Sequence, residues 1–581
     1  MSSRIRRSLV LATTLTLLLG VSGAAAPISL AAKDTSTKVG GINVDATTIP
    51  ELQDLMNAHR LNAVQLTQFY LNRIKKLNPK LNAVITVSPT ALADARAADR
   101  ARRSGDDRPL LGIPIIVKDN VNTTGMPTTA GSWALAGSMP DDAFIAAQLK
   151  AAGAIIIGKA NLSEWANFRS DPSSSGWSGI GGQTNMPYVL DRNPCGSSSG
   201  SGVVAAADLA VAAVGTETDG SIVCPSGANG VVGIKPTLGL WSRAGVVPIS
   251  ADQDTAGPIA RNVTDAAVLL GAATGVDPND GATSDQTGHA FTDYTQFLNG
   301  DALDGARIGV WRAGTYGPST AAIVEPILAD TIAALEGEGA TVIDSTDIDL
   351  SAAANEFPAL LCEFKSDIQT YLETYADGTN PVSGEAYPQT LAELLAFHDD
   401  HPELEGPWDS QLFIWAEETG GRDDVCADLR ATVTPPIQDE IDQVMADNDL
   451  DAIIALTNGP AWITNDDPEG GDTAATDGFA NFVGSSTAAA ASGYADITVN
   501  AANHGVLPIG ITFIGGRWDE PDLIGYAYDF EQATHARVPP TFIPTIGDDP
   551  LGGSGARQPA TKAPKSVVPS RNGTWRMPPL R

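Results

Sequence analysis

Hydrophobic residues along this chain follow two alternating spacings. Runs of consecutive apolar residues, typical of strands buried on both faces, occupy 113–117, 154–157 and 211–214. Between these runs, apolar residues recur every three to four positions, as in helices that pack one face against a sheet. The alternation predicts an α/β fold with one large mixed β-sheet covered by helices on both faces.

Other segments carry the same two signals. A capping box at Thr48 predicts a helix start, and a second helix is expected to end near Asn78 and Pro79. The other predicted helices cover 91–103, 143–152, 321–335 and most of 350–450, and a further helix is predicted to start at 161–164. The other predicted strands cover 81–87, 230–237, 306–311, 450–456 and 507–515.

A lysine ends one of the most apolar strands. The run at 112–117 is followed at once by Lys118. Lysine is normally exposed, so one interpretation is a side chain that reaches solvent at the strand end. The other interpretation is a desolvated amine whose lowered pKa keeps it neutral and able to act as a base.

Two glycine-rich loops that carry serines flank an apolar segment. The first reads PCGSSSGSG from Pro194, and the second reads GTETDGSIVCPS from Gly215. Small residues let two backbone segments approach closely, and glycine adopts conformations that align backbone amides toward an anion. Flexible linkers lack such an apolar connector, so the pattern predicts that both loops meet in one pocket.

Composition narrows the range of partners. The 581-residue chain has a net charge of −33, so nucleic acid is not an expected partner, because binding its phosphates requires clustered Lys and Arg. No apolar run after residue 30 is long enough to span a membrane. Neither HExxH nor GxxxxGK[ST] occurs, so no metal and no cofactor are expected.

The two ends of the chain differ from its middle. Residues 1–26 combine Arg4, Arg6 and Arg7 with an apolar run and small residues, the pattern of an export signal. This predicts a secreted, periplasmic or extracellular protein without stable membrane insertion after signal removal. Residues 541–581 are rich in Pro, Gly, Lys and Arg and lack an apolar pattern, which predicts a disordered tail.

The four cysteines are too few for a disulfide framework in a chain of this length. Cys195 and Cys224 lie within the two serine-bearing loops, which raises the possibility of a catalytic thiol. No histidine is near them in sequence to activate a thiol. The interpretation is therefore that both are small packing residues.

A histidine-based mechanism is one alternative. The segment GSSSG from Gly196 matches GxSxG, which would make Ser198 the nucleophile of an α/β-hydrolase with His504 or His535 as the base. The strand expected directly before Gly196 is absent, because DRNP stands there.

Six motifs together resemble the amidase signature family, most closely its bacterial peptide amidases, which remove the amide from peptide C-termini. The motifs are IVKDN from Ile116, NLSEWANF from Asn161, PCGSSSGS from Pro194, GTETDGSIVCP from Gly215, QDTAGP from Gln253 and LDAII from Leu450. The resemblance covers residues 45–540, which are expected to form one amidase signature domain.

The resemblance implies a Ser-cisSer-Lys triad. In it, Ser221 is the nucleophile, Ser197 is a bridging serine held by a cis peptide bond, and Lys118 is the base. Neutral Lys118 would take a proton from Ser197 as Ser197 takes one from Ser221, and the reversed relay would protonate the leaving nitrogen. The backbone amides implied for the oxyanion hole are those of Thr218, Asp219, Gly220 and Ser221. Many family members have Gly where this chain has Asp219, and the peptide amidases share the Asp.

The implied function is that of a secreted amidase that hydrolyses C-terminal peptide amides or other acyl amides through an acyl-enzyme. One alternative is a glutaminase-type subunit of an amidotransferase, which has the same core but works inside the cell with partner proteins. The other is the serine esterase that uses Ser198 and a histidine. A noncatalytic binding protein would be expected to lack Lys118, Ser197 or Ser221, and all three are present.

Overall fold

A computed structural model describes residues 36–170, 173–315, 321–404, 406–464 and 485–546. The predicted signal peptide at 1–26 lies outside the described residues, and so does the predicted tail at 541–581 except for its first six residues. Within these six, Ile543 forms a β-bridge with Val189. Within the described ranges, none of the helices combines the length and apolar character needed to cross a membrane.

Thirteen strands and sixteen α-helices are described. The strands are β1 (Lys38–Val39), β2 (Ile42–Asn43), β3 (Val84–Val87), β4 (Pro114–Lys118), β5 (Ile155–Ala160), β6 (Ala212–Glu217), β7 (Val232–Lys235), β8 (Thr255–Ala260), β9 (Arg307–Val310), β10 (Thr341–Asp344), β11 (Ala452–Leu456), β12 (Asp496–His504) and β13 (Leu507–Ile514). The helices are α1 (Ile49–Asn57), α2 (Ala63–Leu81), α3 (Ala91–Arg103), α4 (Phe144–Ala151), α5 (Ser199–Ala206), α6 (Val223–Ala228), α7 (Val263–Ala272), α8 (Arg312–Thr315), α9 (Ala321–Gly337), α10 (Glu356–Tyr375), α11 (Leu391–Asp400), α12 (Gln411–Glu417), α13 (Asp424–Ala431), α14 (Thr434–Asn448), α15 (Ser486–Ser492) and α16 (Glu520–Thr534).

Eleven of these strands form one sheet, in the order β10-β9-β11-β13-β12-β7-β8-β6-β4-β5-β3. The pairs β10–β9, β9–β11, β6–β4 and β4–β5 are parallel, and the other neighbours are antiparallel. Every residue of β4, β5 and β6 is buried, as expected for strands covered on both faces. The predicted fold class, a large mixed sheet surrounded by helices, is confirmed.

Most predicted elements are present, and two differ from the expectation. Helix α2 continues past Pro79 to Leu81, because a proline in the last turn removes few helical hydrogen bonds and Leu81 is buried in the core. The residue after it, Asn82, ends the helix in the left-handed conformation. The predicted helix start at 161–164 is instead one 3₁₀ turn, Glu164–Asn167, with Trp165 and Ala166 at positive φ.

The parallel pairing of β4 and β6 determines where the chemistry-bearing residues lie. Neighbouring parallel strands end at the same edge of a sheet. Lys118 is the last residue of β4, and Thr216 and Glu217 end β6. The second serine-bearing loop, with Ser221, leaves β6 directly beside Lys118.

Residues 351–448 are mainly helical where described, as predicted, and pack around an aromatic cluster that includes Phe364 and Phe413. Within this segment a disulfide joins Cys362 on α10 to Cys426 on α13, with 5.9 Å between their Cα atoms. This disulfide is not predicted from the sequence. The two residues are 64 positions apart, and only the packing of α10 against α13 brings them together.

Candidate active site

Lys118 is fully buried, and its amine contacts only uncharged oxygen atoms. Its Nζ lies 2.7 Å from Ser197 Oγ, 2.8 Å from Thr216 Oγ1 and 3.2 Å from the Thr216 carbonyl. In the described part of the chain, no carboxylate lies within ion-pair distance of this amine. The interpretation of Lys118 as a solvent-reaching side chain is therefore wrong, because β4 is covered on both faces.

Burial lowers the pKa of Lys118 to about 7, against an opposing effect of the more distant Asp254 and Glu217 carboxylates. A neutral amine has two N–H donors and one lone pair. The two oxygens of Thr216 can accept the donors, which leaves the lone pair for the Ser197 hydroxyl proton. The arrangement thus suits a base that takes a proton from Ser197.

A second buried lysine provides a contrast. Lys159, on the adjacent strand β5, lies 3.4 Å from the Asp119 carboxylate and donates to the Val121 carbonyl and to Thr128 Oγ1. Its charge therefore has a partner, as buried charges usually require. Lys118 lacks such a partner in the described residues, which distinguishes a potential base from a structural ion pair.

The first serine-bearing loop is fixed by close backbone contacts. The Gly196–Ser197 peptide bond is cis, in agreement with the resemblance. The amide of Ser163 donates to the Ser197 carbonyl at 3.1 Å. A Cβ atom at Gly200 would lie 2.3 Å from the Asn161 carbonyl oxygen, so α5 can approach this segment only with glycine there.

The two serine-bearing loops meet, as the sequence predicts. The amide of Ser198 donates to the Ser221 carbonyl at 3.2 Å. Both Ser197 and Ser221 are buried, with Ser221 8% exposed. No hydrogen bond joins the two serine hydroxyls directly among the described residues.

Glu217 shapes the loop that carries Ser221. Its carboxylate accepts hydrogen bonds from the amides of Gly220, Ile222 and Val223, at 2.9, 2.6 and 3.0 Å. The loop folds back on this buried side chain, and Gly220 has φ +76° at the turn. This role of Glu217 is not predicted from the sequence, although the residue lies within the GTETDGSIVCP motif.

This geometry changes the expected oxyanion hole. The Gly220 amide already donates to the Glu217 carboxylate, so we no longer count it among the expected oxyanion donors. Within the described chain, the amides of Thr218, Asp219 and Ser221 have no acceptor in the protein. These three amides remain as the predicted donors to a developing oxyanion.

Two aspartates support the same loop. Asp254 accepts hydrogen bonds from Thr218 Oγ1 at 2.6 Å and from the amides of Ile249 and Ser250. Asp219 accepts from the hydroxyls of Ser486 and Thr487, at 2.5 and 2.7 Å. Burial raises the pKa of both carboxyl groups, and the hydroxyl donors oppose the rise.

A disulfide also links the two loops. Cys195, two residues before Ser197, is bonded to Cys224, three residues after Ser221, with Cα atoms 6.0 Å apart. The interpretation of these cysteines as packing residues is therefore wrong, and neither is a free thiol. The 29-residue separation of the two cysteines does not indicate that they pair. They come together only because the two serine-bearing loops meet in the folded protein.

The histidine-based alternative lacks a matching geometry. Ser198 Oγ donates to the Thr216 carbonyl at 3.0 Å and accepts from the Thr216 amide at 3.1 Å, so its hydrogen-bonding capacity is used by backbone. Neither His504 nor His535 hydrogen-bonds to Ser198 in the described residues. No group of three His, Cys, Asp or Glu residues in those ranges is arranged to hold a metal ion.

Comparison with known proteins places this geometry in a family. The amidase family profile matches residues 65–524. The chain is similar to the crystal structure of a peptide amidase from Stenotrophomonas maltophilia, with 43% identity, a TM-score of 0.78, and coverage of 86% of this chain and 99% of that one.

Relatives identified by sequence belong to the same family of amidases. A protein of Arabidopsis thaliana described as an amidase is 39% identical over 518 residues, which cover 86% of this chain and 92% of the relative. A glutamyl-tRNA(Gln) amidotransferase subunit of Thermoanaerobacter pseudethanolicus is 32% identical over 502 residues, which cover 85% and 98%. The chain belongs to the amidase signature family. It is an enzyme that hydrolyses amide bonds.

Proposed function

We propose that this protein is an exported amidase that removes C-terminal amides from peptides, with Ser221 as nucleophile, Ser197 as bridging serine and Lys118 as base. The observation that carries the proposal is the 2.7 Å contact between Lys118 Nζ and Ser197 Oγ, buried and without a carboxylate partner for the amine in the described residues. A lysine in this environment is available as a base near neutral pH.

The proposed reaction has two halves. Ser221 Oγ attacks the amide carbon while its proton passes to Ser197 and the Ser197 proton passes to Lys118. Three amides, those of Thr218, Asp219 and Ser221, stabilise the oxyanion. The Lys118 ammonium then returns a proton through Ser197 to the nitrogen, and ammonia or an amine leaves. Water attacks the resulting ester by the same relay and releases the carboxylic acid.

The peptide amide substrate is proposed from similarity and loop chemistry. The peptide amidase of Stenotrophomonas maltophilia is 43% identical over almost its whole length. The loop at 218–221, called the oxyanion loop below, contains Asp219, the residue that the peptide amidases share. The Asp219 carboxylate accepts hydrogen bonds from Ser486 and Thr487 on α15.

Release of the leaving amine tests the substrate class, measured as ammonia for the peptide amide and for glutamine and as aniline for the anilide. We expect kcat/KM for an N-acetylated dipeptide amide to exceed that for free glutamine or a simple anilide by at least about tenfold, because extended binding energy is used in the transition state. The same dipeptide with a free carboxylate is the blank. Preference for glutamine would instead favour the amidotransferase-type function.

The rate of peptide amide hydrolysis is expected to rise with pH. Below a pKa of about 7 the Lys118 amine is protonated and cannot accept a proton, so kcat/KM should increase about tenfold per pH unit and level off above that pKa. An uncharged, N-acetylated substrate keeps the profile specific to the enzyme. A profile that is flat between about pH 5 and 9 would contradict Lys118 as the base.

Export is proposed from the first 26 residues and is supported by the two disulfides, since disulfides persist mainly in oxidising compartments. We expect protein recovered outside the producing cells to lack roughly the first 24 to 32 residues, as determined by N-terminal sequencing. Thiol titration before reduction should detect no free cysteine. Soluble extracellular protein that retains Met1 would contradict the proposal.

A further inference from the structure

Gln253 lies between the loop that carries Ser221 and the helical segment at 351–448. Its side chain is 1% exposed and uses both of its polar atoms. We infer that Gln253 is a positioning residue for amide hydrolysis, which orients the Asp219 amide toward the oxyanion. The inference rests on the proposed function, because it assigns a support to the proposed oxyanion hole.

Three hydrogen bonds define the position of this side chain. Gln253 Nε2 donates to the Thr218 carbonyl at 2.9 Å and to Glu356 Oε1 at 2.5 Å. Gln253 Oε1 accepts from Arg430 Nη1 at 2.8 Å. The amide group therefore joins the oxyanion loop to α10, which begins at Glu356, and to α13, which carries Arg430.

The bond to Thr218 acts directly on an oxyanion donor. The Thr218 carbonyl and the Asp219 N–H belong to the same planar peptide unit, and in a trans peptide they point in opposite directions. Holding the carbonyl oxygen toward Gln253 therefore aims the Asp219 N–H away from it. The Thr218 side chain is fixed separately by Asp254, at 2.6 Å. Together the two contacts leave this peptide unit little freedom to rotate.

Gln253 is itself held by a rigid pair of helices. Arg430 makes two hydrogen bonds to the Glu363 carboxylate on α10, at 2.8 and 2.6 Å. Ser250 Oγ donates to the same carboxylate at 2.6 Å. The Cys362–Cys426 disulfide joins the same two helices, directly beside Glu363 and one turn before Arg430.

This network gives the helical segment a role in the reaction. Gln253 contacts both α10 and α13 and reaches the oxyanion loop. The Arg430–Glu363 ion pair and the Cys362–Cys426 disulfide hold these two helices together at that point. Gln253 is also the first residue of the QDTAGP motif, and its neighbour Asp254 contacts the same loop through the Thr218 hydroxyl. The motif therefore supports one peptide unit of the loop from two sides.

The test compares Gln253→Leu with a matched control, Gln286→Leu. Gln286 is also buried, donates to the carbonyls of Gly239 and Gly275, and accepts from the Gly275 amide, all outside the two serine-bearing loops. Complete loss of an oxyanion donor lowers kcat by about 10²–10³. A misoriented Asp219 amide still provides part of the stabilisation of the oxyanion. We therefore expect kcat on an N-acetylated dipeptide amide to fall about 10- to 100-fold in Gln253→Leu. Its KM should change by less than about twofold.

A second readout separates orientation from general loss of structure. Ser221 would add to a peptide aldehyde to form a hemiacetal whose oxygen occupies the oxyanion position. The inhibition constant of the aldehyde should increase in Gln253→Leu by about the factor by which kcat/KM falls, as expected for a transition-state analogue. In Gln286→Leu, kcat and aldehyde inhibition should match those of the wild type, even if thermal stability falls.

Gln253→Met provides the same test if the leucine variant does not fold. Methionine is close to glutamine in length but has no N–H to donate to Thr218. We expect the same loss of kcat and of aldehyde inhibition. If both Gln253 variants retain wild-type kcat and inhibition, the inference is overturned. If Ser221→Ala retains activity in parallel, the proposed function fails instead.

Discussion

Replacement of Ser221 with alanine is expected to lower kcat for peptide amide hydrolysis by about 10⁶, to the background rate, because no acyl-enzyme can form without its hydroxyl. The measurement is ammonia release together with single-turnover detection of acylation. Circular dichroism and the thermal midpoint should be close to those of the wild type, since the Ser221 hydroxyl has no hydrogen-bond partner in the described residues.

The histidine-based alternative gives the opposite pattern, and Ser198→Ala and His504→Ala are the matched variants. Ser198→Ala loses two hydrogen bonds to the Thr216 backbone, so stability should fall while acylation persists. His504→Ala should retain near wild-type rates. An inactive Ser198→Ala or His504→Ala, combined with an active Ser221→Ala, would show that the nucleophile is wrongly assigned.

Replacement of Lys118 with alanine has the second largest expected effect. Loss of a general base lowers rates by about 10²–10⁴, and slow turnover should remain because the oxyanion amides and Ser221 are intact. The pH dependence near 7 should disappear with the amine that causes it. The measurement is kcat/KM against pH for the wild type and the variant.

Ser197→Ala breaks the same relay at another point, so the two losses should not add. A double variant is expected to be about as slow as Lys118→Ala alone, because an interrupted relay cannot be interrupted twice. Additive losses would indicate that Ser197 and Lys118 act independently. Lys159→Met is a useful comparison, since it removes the partner of Asp119 and should mainly lower stability.

The sequence predicts the sheet well where strands are buried on both faces. Strands β4, β5 and β6 begin with apolar runs, which predict them as buried strands. The lysine after the first run leaves two interpretations open from sequence, and only the burial of β4 in the folded sheet decides between them. Strand β8 is not predicted, because it contains Gly257 and Pro258, residues that normally argue against a central strand. A Cβ atom at Gly257 would lie 2.1 Å from the Ile234 carbonyl oxygen, so close packing against β7 explains the glycine.

The serines and lysine of the site can be located from motifs, whereas their supports depend on long-range packing. Glu217 and Thr216 lie inside a recognised motif, but their roles require the folded loop. Arg430 reaches Gln253 across 177 positions of sequence, and no local pattern indicates such a contact. The two disulfides depend on the same kind of long-range packing, which is why the sequence does not predict them.

Labelling with a fluorophosphonate tests the assignment of Ser221 and Lys118 most directly. Such a reagent forms a phosphorus–oxygen bond with an activated serine hydroxyl and loses fluoride. Ser198 and Ser221 lie on the same tryptic peptide, so fragment-ion assignment after reduction must localise the adduct. We expect one adduct, on Ser221, formed rapidly by the wild type and far more slowly by Lys118→Ala. An adduct on Ser198, or equally rapid labelling of Ser221 without Lys118, would contradict the assignment.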